Sequence, residues 1–306
     1  MKIAFMGTPE FAVVSLRRLV EDGHEIVGVF TQPDKLGNRR KLTMPPVKEY
    51  ALSVGLPVYQ PEKMRGEEPL TLLRSLAPEL TVVAAYGQIL PEDILNVPTF
   101  GSVNVHASIL PKYRGAAPIN RAILNGETET GVTIMYMAKK LDAGDIISIR
   151  RTPIDPDEDA EQLFAKLAEL GAEALSETIP AIANGTAKRF AQNDAEATYA
   201  AMLSREMSPI DWDNNAESVV NQVRALVPWP CATMLLDGKI TKVWRAIRGG
   251  ETKNTVGTMT ATKRGIECAC GDGRSIIVTE LQSEGGKRMA ASAWLNGKRV
   301  ALGTQL

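Results

Sequence analysis

The sequence predicts an α/β protein, a doubly wound, mostly parallel sheet in the N-terminal part followed by a smaller C-terminal β-barrel. Three observations carry this expectation. Through residues 1–150, short apolar runs alternate with segments whose apolar residues recur at helical spacing, the pattern of a parallel sheet with crossover helices. Beyond Ser208 the character changes to short strands at regular intervals, divided by Asp-Gly and Gly-rich turns. Between the two, from about Arg189 to Ser208, the pattern loosens and is punctuated by Asn193-Asp194 and by Ser208-Pro209 at its end.

The elements follow in order. Ile3–Phe5 is a short apolar run ending at Gly7, a buried strand. Phe11–Val20 has helical periodicity and stops at Asp22-Gly23. Glu25–Phe30 is a second strand, Pro46–Val54 a helix ending at Gly55, Val58-Tyr59 a short third strand, and Glu68–Leu76 a helix. Leu80–Ala85 is apolar and β-prone throughout, as a central strand should be. Ser102–His106 and Gly131–Tyr136 read as further strands, with Ala117–Leu124 a helix between them, and Asp159–Ile182 is a long amphipathic helix closing the domain. Past the linker, the helix Ala216–Leu226 precedes Pro228-Trp229-Pro230. The strands Ala232–Leu236, Ile240–Ala246, Gly257–Thr262, Gly265–Ala269 and Ser275–Leu281 then form the barrel. This gives a domain over 1–189, a linker over 190–207 and a second domain over 208–306.

Composition narrows the function classes. With 306 residues, 44% hydrophobic and 23% charged, the chain suits two globular domains rather than a disordered segment. The net charge is −1, but it is unevenly spread. From Met207 to Leu306 there are 13 Lys and Arg against 9 Asp and Glu, leaving 22 against 27 in the remainder. A basic C-terminal part on an acidic N-terminal part suits a polyanionic partner. The three cysteines, Cys231, Cys268 and Cys270, are too few and of the wrong parity for a disulfide framework. Cys268-Ala-Cys270 has the wrong spacing for a zinc knuckle and no histidine near it, so reduced thiols in a cytoplasmic protein without a metal are expected. The N-terminal apolar run is too short for a signal peptide, and no segment has the ~18 uninterrupted apolar residues of a membrane helix. Gly7 stands alone without a G-x-G-x-x-G pattern, and no phosphate-binding P-loop or H-E-x-x-H motif is present, which argues against a nucleotide cofactor, an NTPase and a metalloprotease.

Ligands of doubly wound sheets sit beyond the carboxyl ends of the strands. Gly7, Gly87 and His106 all fall at such ends. There are two histidines. His24 lies in a polar turn and is assigned no role. His106 ends the apolar run Val103-Asn104-Val105-His106, and residues two apart in a strand share a face. An amide donor and an imidazole on one face make an oxyanion and proton-transfer pair. The competing reading is a buried histidine satisfied at a strand end. Asp142, in the turn Leu141-Asp142-Ala143-Gly144-Asp145, is the candidate third member, since a carboxylate beside an imidazole fixes its orientation.

The run Asn104-Val105-His106-Ala107-Ser108-Ile109-Leu110-Pro111-Lys112-Tyr113-Arg114-Gly115-Ala116-Ala117-Pro118-Ile119 resembles the signature of the formyltetrahydrofolate-dependent formyltransferases. The Leu141–Asp145 segment resembles the family's second block. The resemblance implies a Rossmann-like catalytic domain with an OB-like C-terminal domain. It implies Asn104, His106 and Asp142 as the catalytic trio, and a monomeric enzyme whose co-substrate is 10-formyltetrahydrofolate. It also implies that Ser108, Ile109, Leu110 and Pro111 line the folate site, with Ile109 a conservative departure from the usual leucine. Backbone groups of Ala85, Tyr86, Gly87, Gln88, Ile89 and Leu90 then form the pterin-recognition loop. Such a transfer needs no activated serine, cysteine or metal: an amine attacks the formyl carbon, an oxyanion must be stabilised and an ammonium proton removed.

Further stretches are similar to the branch of the family whose acceptor is the methionyl amine on initiator tRNA. They are Phe5-Met6-Gly7-Thr8-Pro9-Glu10-Phe11, Thr31-Gln32-Pro33-Asp34, Leu203-Ser204-Arg205-Glu206 and Pro228-Trp229-Pro230. The basic loop holding Lys35, Arg39, Arg40 and Lys41 beside Gly37-Asn38 suits a phosphate backbone or a helix end; alone it would read as a solvated surface loop. It is shorter than is usual in the family. Arg205 is a second tRNA candidate, and Trp229, Trp244 and Trp294 are either base-stacking or core residues. Two rival readings remain at this point. One is a formyltransferase with a small amine acceptor, which needs neither basic loop nor basic C-terminal part. The other is a non-catalytic RNA-binding protein, which has no use for Asn-x-His followed by Ser-Ile-Leu-Pro.

Overall fold

The computed structural model describes residues 1–36 and 42–305. The chain divides into two compact units, neither continuous in sequence. The first comprises Met1–Gly115, Thr130–Thr152 and Phe164–Ala200, the second Ala116–Glu129, Pro153–Leu163 and Ala201–Leu306.

The first unit is built on a seven-stranded sheet. Its strands are β1 (Lys2–Gly7), β2 (Glu25–Phe30), β3 (Val58–Tyr59), β4 (Leu80–Ala84), β5 (Ser102–His106), β6 (Glu129–Tyr136) and β7 (Ile146–Pro153), in the order β7-β6-β5-β4-β1-β2-β3. β1 pairs in parallel with β2 and β4, β2 with β3, and β4 with β5; β6 joins β5 antiparallel. Strand order therefore reverses about β1, the switch point at which doubly wound sheets open a crevice. Ile3, Ala4, Phe5 and Met6 of β1 and all five residues of β4 are buried, which is why both strands read as unbroken apolar runs.

Helices flank this sheet. α1 (Glu10–Glu21) buries Phe11, Ala12, Val13, Ser15, Leu16 and Leu19, one face at helical spacing. α2 (Pro46–Ser53) has proline in its first turn, where the missing N–H costs nothing. α3 (Glu67–Leu76) carries Glu67 and Glu68 at its N-terminus, favourable to the helix dipole. α4 (Ala160–Ala183) buries Leu167, Ala168, Leu175 and Ile179, each large aliphatic among them contributing about 1.5–3 kcal/mol by leaving water.

The second unit holds a six-stranded antiparallel sheet: β8 (Ala232–Leu236), β9 (Lys239–Glu251), β10 (Met259–Thr262), β11 (Gly265–Ala269), β12 (Arg274–Ser283) and β13 (Met289–Ala290). β8 and β9 form a hairpin closed at Leu236 and Lys239. Its two turn residues, Asp237 and Gly238, have φ of 54° and 68°, the left-handed pair that a tight right-twisted hairpin demands. The core gathers Val219 and Val223 of α5 (Ala216–Ala225) with Val243, Ile266, Cys268, Ile276 and Val278. Asn215 caps α5 by accepting from the Ser218 N–H at 2.8 Å. Trp294 packs against this core, Trp229 is half exposed, and Trp244 lies under the Arg288 guanidinium.

Two features depart from the sequence expectation. β7 was not expected as a strand: its edge position leaves Arg150 and Arg151 exposed and breaks the apolar pattern that marks inner strands. Residues 190–200, expected as linker, are hydrogen-bonded within the first unit. Phe190 bridges Ile146, and Tyr199-Ala200 pairs in parallel with Arg114-Gly115.

Candidate active site

Asn104 and His106 lie on β5, the strand beside β4, with side chains on one face as strand parity requires. Both are buried. His106 Nε2 stands 2.9 Å from the Tyr113 carbonyl oxygen. A carbonyl can only accept, so Nε2 carries the hydrogen and donates it, and a neutral ring presents its Nδ1 lone pair. Nδ1 faces Asp142 Oδ2 at 3.8 Å. Asn104, by contrast, has no hydrogen-bond partner for its carboxamide among the described residues. The carboxamide is not among the buried polar atoms left unsatisfied, so its donors are open to a substrate atom.

Asp142 occupies a tight turn at φ 46°, a left-handed conformation tolerated by aspartate more than by most residues. Its Oδ2 accepts from the Gly115 N–H at 2.8 Å. Gly144, two residues on, allows the turn to close: a Cβ there would collide with the Tyr136 carbonyl oxygen. The structure thus brings Asn104, His106 and Asp142 together.

The Ser108–Pro111 stretch leaves β5 directly. The Ser108 N–H donates to the His106 carbonyl at 2.9 Å. Thr133 Oγ1, on the paired strand, donates to the Ser108 carbonyl at 2.7 Å and accepts from the Leu110 N–H at 3.1 Å. Ser108 and Leu110 are buried and Ile109 is half-buried. The Tyr86–Leu90 loop leaves the neighbouring strand β4. Thr8 Oγ1 donates to the Tyr86 carbonyl at 2.9 Å, and Gln32 Nε2 donates to the Gly87 carbonyl at 2.9 Å. The Gln88 carboxamide is tied to the Met64 N–H and the Pro61 carbonyl. Leu90 is buried, whereas Ile89 is 90% exposed, unusual for a large aliphatic beside such a crevice. Tyr86 is 2% exposed and its hydroxyl has no partner among the described residues; burial pushes the phenol up to about 12.

Of the basic residues singled out for a polyanion, Lys35 is exposed on a two-residue strand paired with Thr43. Arg39, Arg40 and Lys41 lie outside the described residues. Arg205 is exposed in the short 3-10 turn Arg205–Met207 of the second unit. Sequence reasoning missed the residues that brace the Asp142 turn. Arg114 is fully buried and donates to Gln192 Oε1 from Nε (3.1 Å) and Nη2 (2.8 Å) and to Asp194 Oδ1 from Nη1 (2.8 Å). The Lys140 ammonium first, and then Arg114, hold the Asp194 carboxyl below its ordinary value. The polarity of 190–198 marks it as linker in the sequence, and nothing local there ties it to Arg114.

Residues 1–179 match the formyl transferase family model and residues 202–299 the model of the formyl transferase C-terminal domain. The chain is 48% identical to the methionyl-tRNA formyltransferase of Lysinibacillus sphaericus, covering 99% of this chain and 98% of the relative. It is 49% identical to that of Halalkalibacterium halodurans, covering 97% and 95%. Among solved structures, an N-formyltransferase from Helicobacter canadensis, in complex with folinic acid and dTDP-3-aminofucose, shares the fold. It has a TM-score of 0.70 at 21% identity, over 91% of this chain and 98% of that one. The chain therefore belongs to the formyl transferase family.

Proposed function

We propose that this chain transfers the formyl group of 10-formyltetrahydrofolate to the amino group of methionine carried on initiator tRNA. The reaction is named by relatives nearly half identical over almost their whole length. The observation that carries the chemistry is the orientation of His106. With Nε2–H committed to the Tyr113 carbonyl, the Nδ1 lone pair and the Asp142 carboxylate oxygen face each other at 3.8 Å. Both accept and neither donates, so the space beside them favours an N–H donor or a cation. An attacking amine becomes that cation.

In this reading the methionyl nitrogen adds to the formyl carbon. Its C–N bond forms while the carbonyl π-pair moves onto oxygen, and the Asn104 carboxamide donates to that oxyanion. The ammonium proton passes to Nδ1 of His106, with Asp142 stabilising the imidazolium. Collapse of the intermediate breaks the bond to the folate nitrogen, which takes up a proton. The donor lies along Tyr86, Gly87, Gln88, Ile89 and Leu90 and along Ser108, Ile109, Leu110 and Pro111. The folinic acid held by the Helicobacter canadensis enzyme of the same fold supports a folate as donor. Lys35, Arg39, Arg40, Lys41 and Arg205, with the basic C-terminal part, meet the tRNA phosphates.

The test is a transfer assay with 10-formyltetrahydrofolate and methionyl-initiator tRNA, comparing wild type with Asn104→Ala and His106→Ala. Each variant is expected to lose roughly 10²–10⁴-fold in kcat, the range for an oxyanion donor or a proton-transfer group, while tRNA affinity stays unchanged. Undiminished turnover in both variants would sink the assignment. Donor turnover without formylated tRNA would redirect it to a small amine acceptor.

A further inference from the structure

We infer that Gln192 is a positioning residue for the Asp142 carboxylate, with the buried Arg114 fixing its orientation; the inference rests on Asp142 being a member of the active site. The Gln192 carboxamide is held at both ends. Its Oε1 accepts two N–H groups of the Arg114 guanidinium. A guanidinium only donates, so the oxygen must face it and the NH₂ must face the other way. There Nε2 donates to the carbonyl of Asp142 at 2.9 Å and to that of Gly144 at 2.8 Å. One neutral side chain therefore spans from a buried cation to the two carbonyls that flank Ala143.

This brace matters because the turn is otherwise held mainly by main-chain hydrogen bonds, Ala143 N–H to the Lys140 carbonyl at 3.3 Å and Tyr136 N–H to the Asp145 carbonyl at 2.9 Å. Leu141 is 59% exposed. Gly144 has no side chain, and Asp142 itself is in a left-handed conformation at φ 46° that needs external support. The Asp142 carboxylate and carbonyl are reached by one dipeptide: Gly115 donates its N–H to the carboxylate at 2.8 Å, and Arg114 reaches the carbonyl through Gln192. Lys140, at the head of the turn, meets Asp194, the other acceptor of Arg114. Removing the carboxamide donors frees the turn to move, and a shift of about 1 Å at a reacting group costs on the order of 10²-fold in rate.

Among neutral side chains of this length, only a carboxamide offers an acceptor on one side and two donors on the other. Gln192→Glu keeps length, shape and the acceptor for Arg114, so the buried guanidinium stays paired. It turns a carboxylate oxygen toward the two carbonyls in place of the NH₂. Gln192→Ala removes both ends.

The experiment measures kcat, both KM values, tRNA affinity and melting temperature for Gln192→Glu and Gln192→Ala, each in the wild-type and Asp142→Asn backgrounds. The expected result is a kcat lowered by about 10–100-fold in the wild-type background. Donor KM and tRNA affinity should stay within about two-fold, and the pH–rate limb should be displaced. In the Asp142→Asn background, the Gln192 substitutions should cost little more, because residues that act through one another are not additive. A kcat loss of the same size in both backgrounds, or no loss in the wild-type background, would overturn the inference. Full activity of Asp142→Asn alone would instead overturn the reading of Asp142, so the two failures are told apart. If Gln192→Ala fails to fold, Gln192→Glu decides.

Discussion

Arg114 and Arg224 are buried cations, one in each unit, and they are used in different ways. Arg114 is 0% exposed, and its guanidinium donates to two other side chains, Gln192 and Asp194. Arg224 is 9% exposed and binds Asn221 Oδ1 at 2.9 Å and the backbone carbonyls of Asp155 and Glu158 at 3.2 and 2.9 Å. Burial, and then the neighbouring Arg248, pull the Arg224 guanidinium below its ordinary value. A cation that ends mainly on main chain, as Arg224 does apart from Asn221 one turn back on its own helix, fixes a local path, here 155–158. A cation that orients a second side chain passes its geometry on, here through Gln192 to the Asp142 turn. Burial of a charge alone does not tell a scaffold from a site; the identity of what it holds does.

The largest effect that could break this contrast comes from Arg224→Met. The substitution keeps the apolar stem and removes the donors from the buried Asn221 and Glu158 and from the more open Asp155 carbonyl. Leaving a buried polar group unsatisfied costs about 1–3 kcal/mol, so the second unit should lose about 3 kcal/mol in denaturant unfolding. At temperatures where the protein stays folded, kcat at saturating substrates should match wild type. A lowered kcat with unchanged stability would put Arg224 on the same footing as Arg114 and remove the contrast.

The same contrast marks what the sequence could reveal. Asn104 and His106 were legible because strand parity places residues two apart on one face, and β5 is a strand. Asp142 was legible only as a turn residue with the right chemistry, and its likeness to a family block supplied the rest. Gln192 and Asp194 were not legible. Their segment is polar and aperiodic, as a linker is, and its order comes from partners 50 to 80 residues away in sequence. The edge strand β7 escaped for a related reason: half-exposed and arginine-bearing, it lacks the apolar alternation that burial imposes on inner strands. Tertiary hydrogen bonding, unlike hydrophobic periodicity, leaves no local trace.

A smaller effect sharpens the picture within the first unit. In contrast to the well-partnered Arg114, the Tyr86 hydroxyl is buried among apolar side chains with no partner among the described residues. Tyr86→Phe should therefore stabilise the protein by about 1 kcal/mol, the cost of one unmade buried hydrogen bond. The sign with pH is fixed by the raised phenol. Its ordinary value is 10.0 and the folded value is about 12, so the folded state resists ionisation. The wild type should lose stability as pH rises from about 10 to 12, and Tyr86→Phe should lose less. Thermal melts of both proteins across that range check it; parallel curves would mean that the hydroxyl has a partner in solution.

The smallest effect bears most directly on Arg224. Arg248 forms a two-pronged pair with Glu217, at 2.6 Å on each oxygen, and its Nη1 also reaches the Pro156 carbonyl and the Asp157 carboxylate at 3.4 and 3.5 Å. Two cations therefore address the 155–158 segment, one buried and one at the surface. Glu217 is about half exposed, with 53% of its side-chain surface accessible, so water screens the pair and it contributes only about 0.5 kcal/mol. The Arg248 hydrogen bonds hold the Glu217 carboxyl below its ordinary 4.5. Its contribution is thus present above about pH 4.5 and is lost as pH falls through the depressed value. Glu217→Gln should lower the melting temperature slightly at pH 7, and the difference from wild type should vanish in acid. If Glu217→Gln were instead as damaging as Arg224→Met, the segment would be held from its surface side, and the buried Arg224 could no longer be read as its anchor.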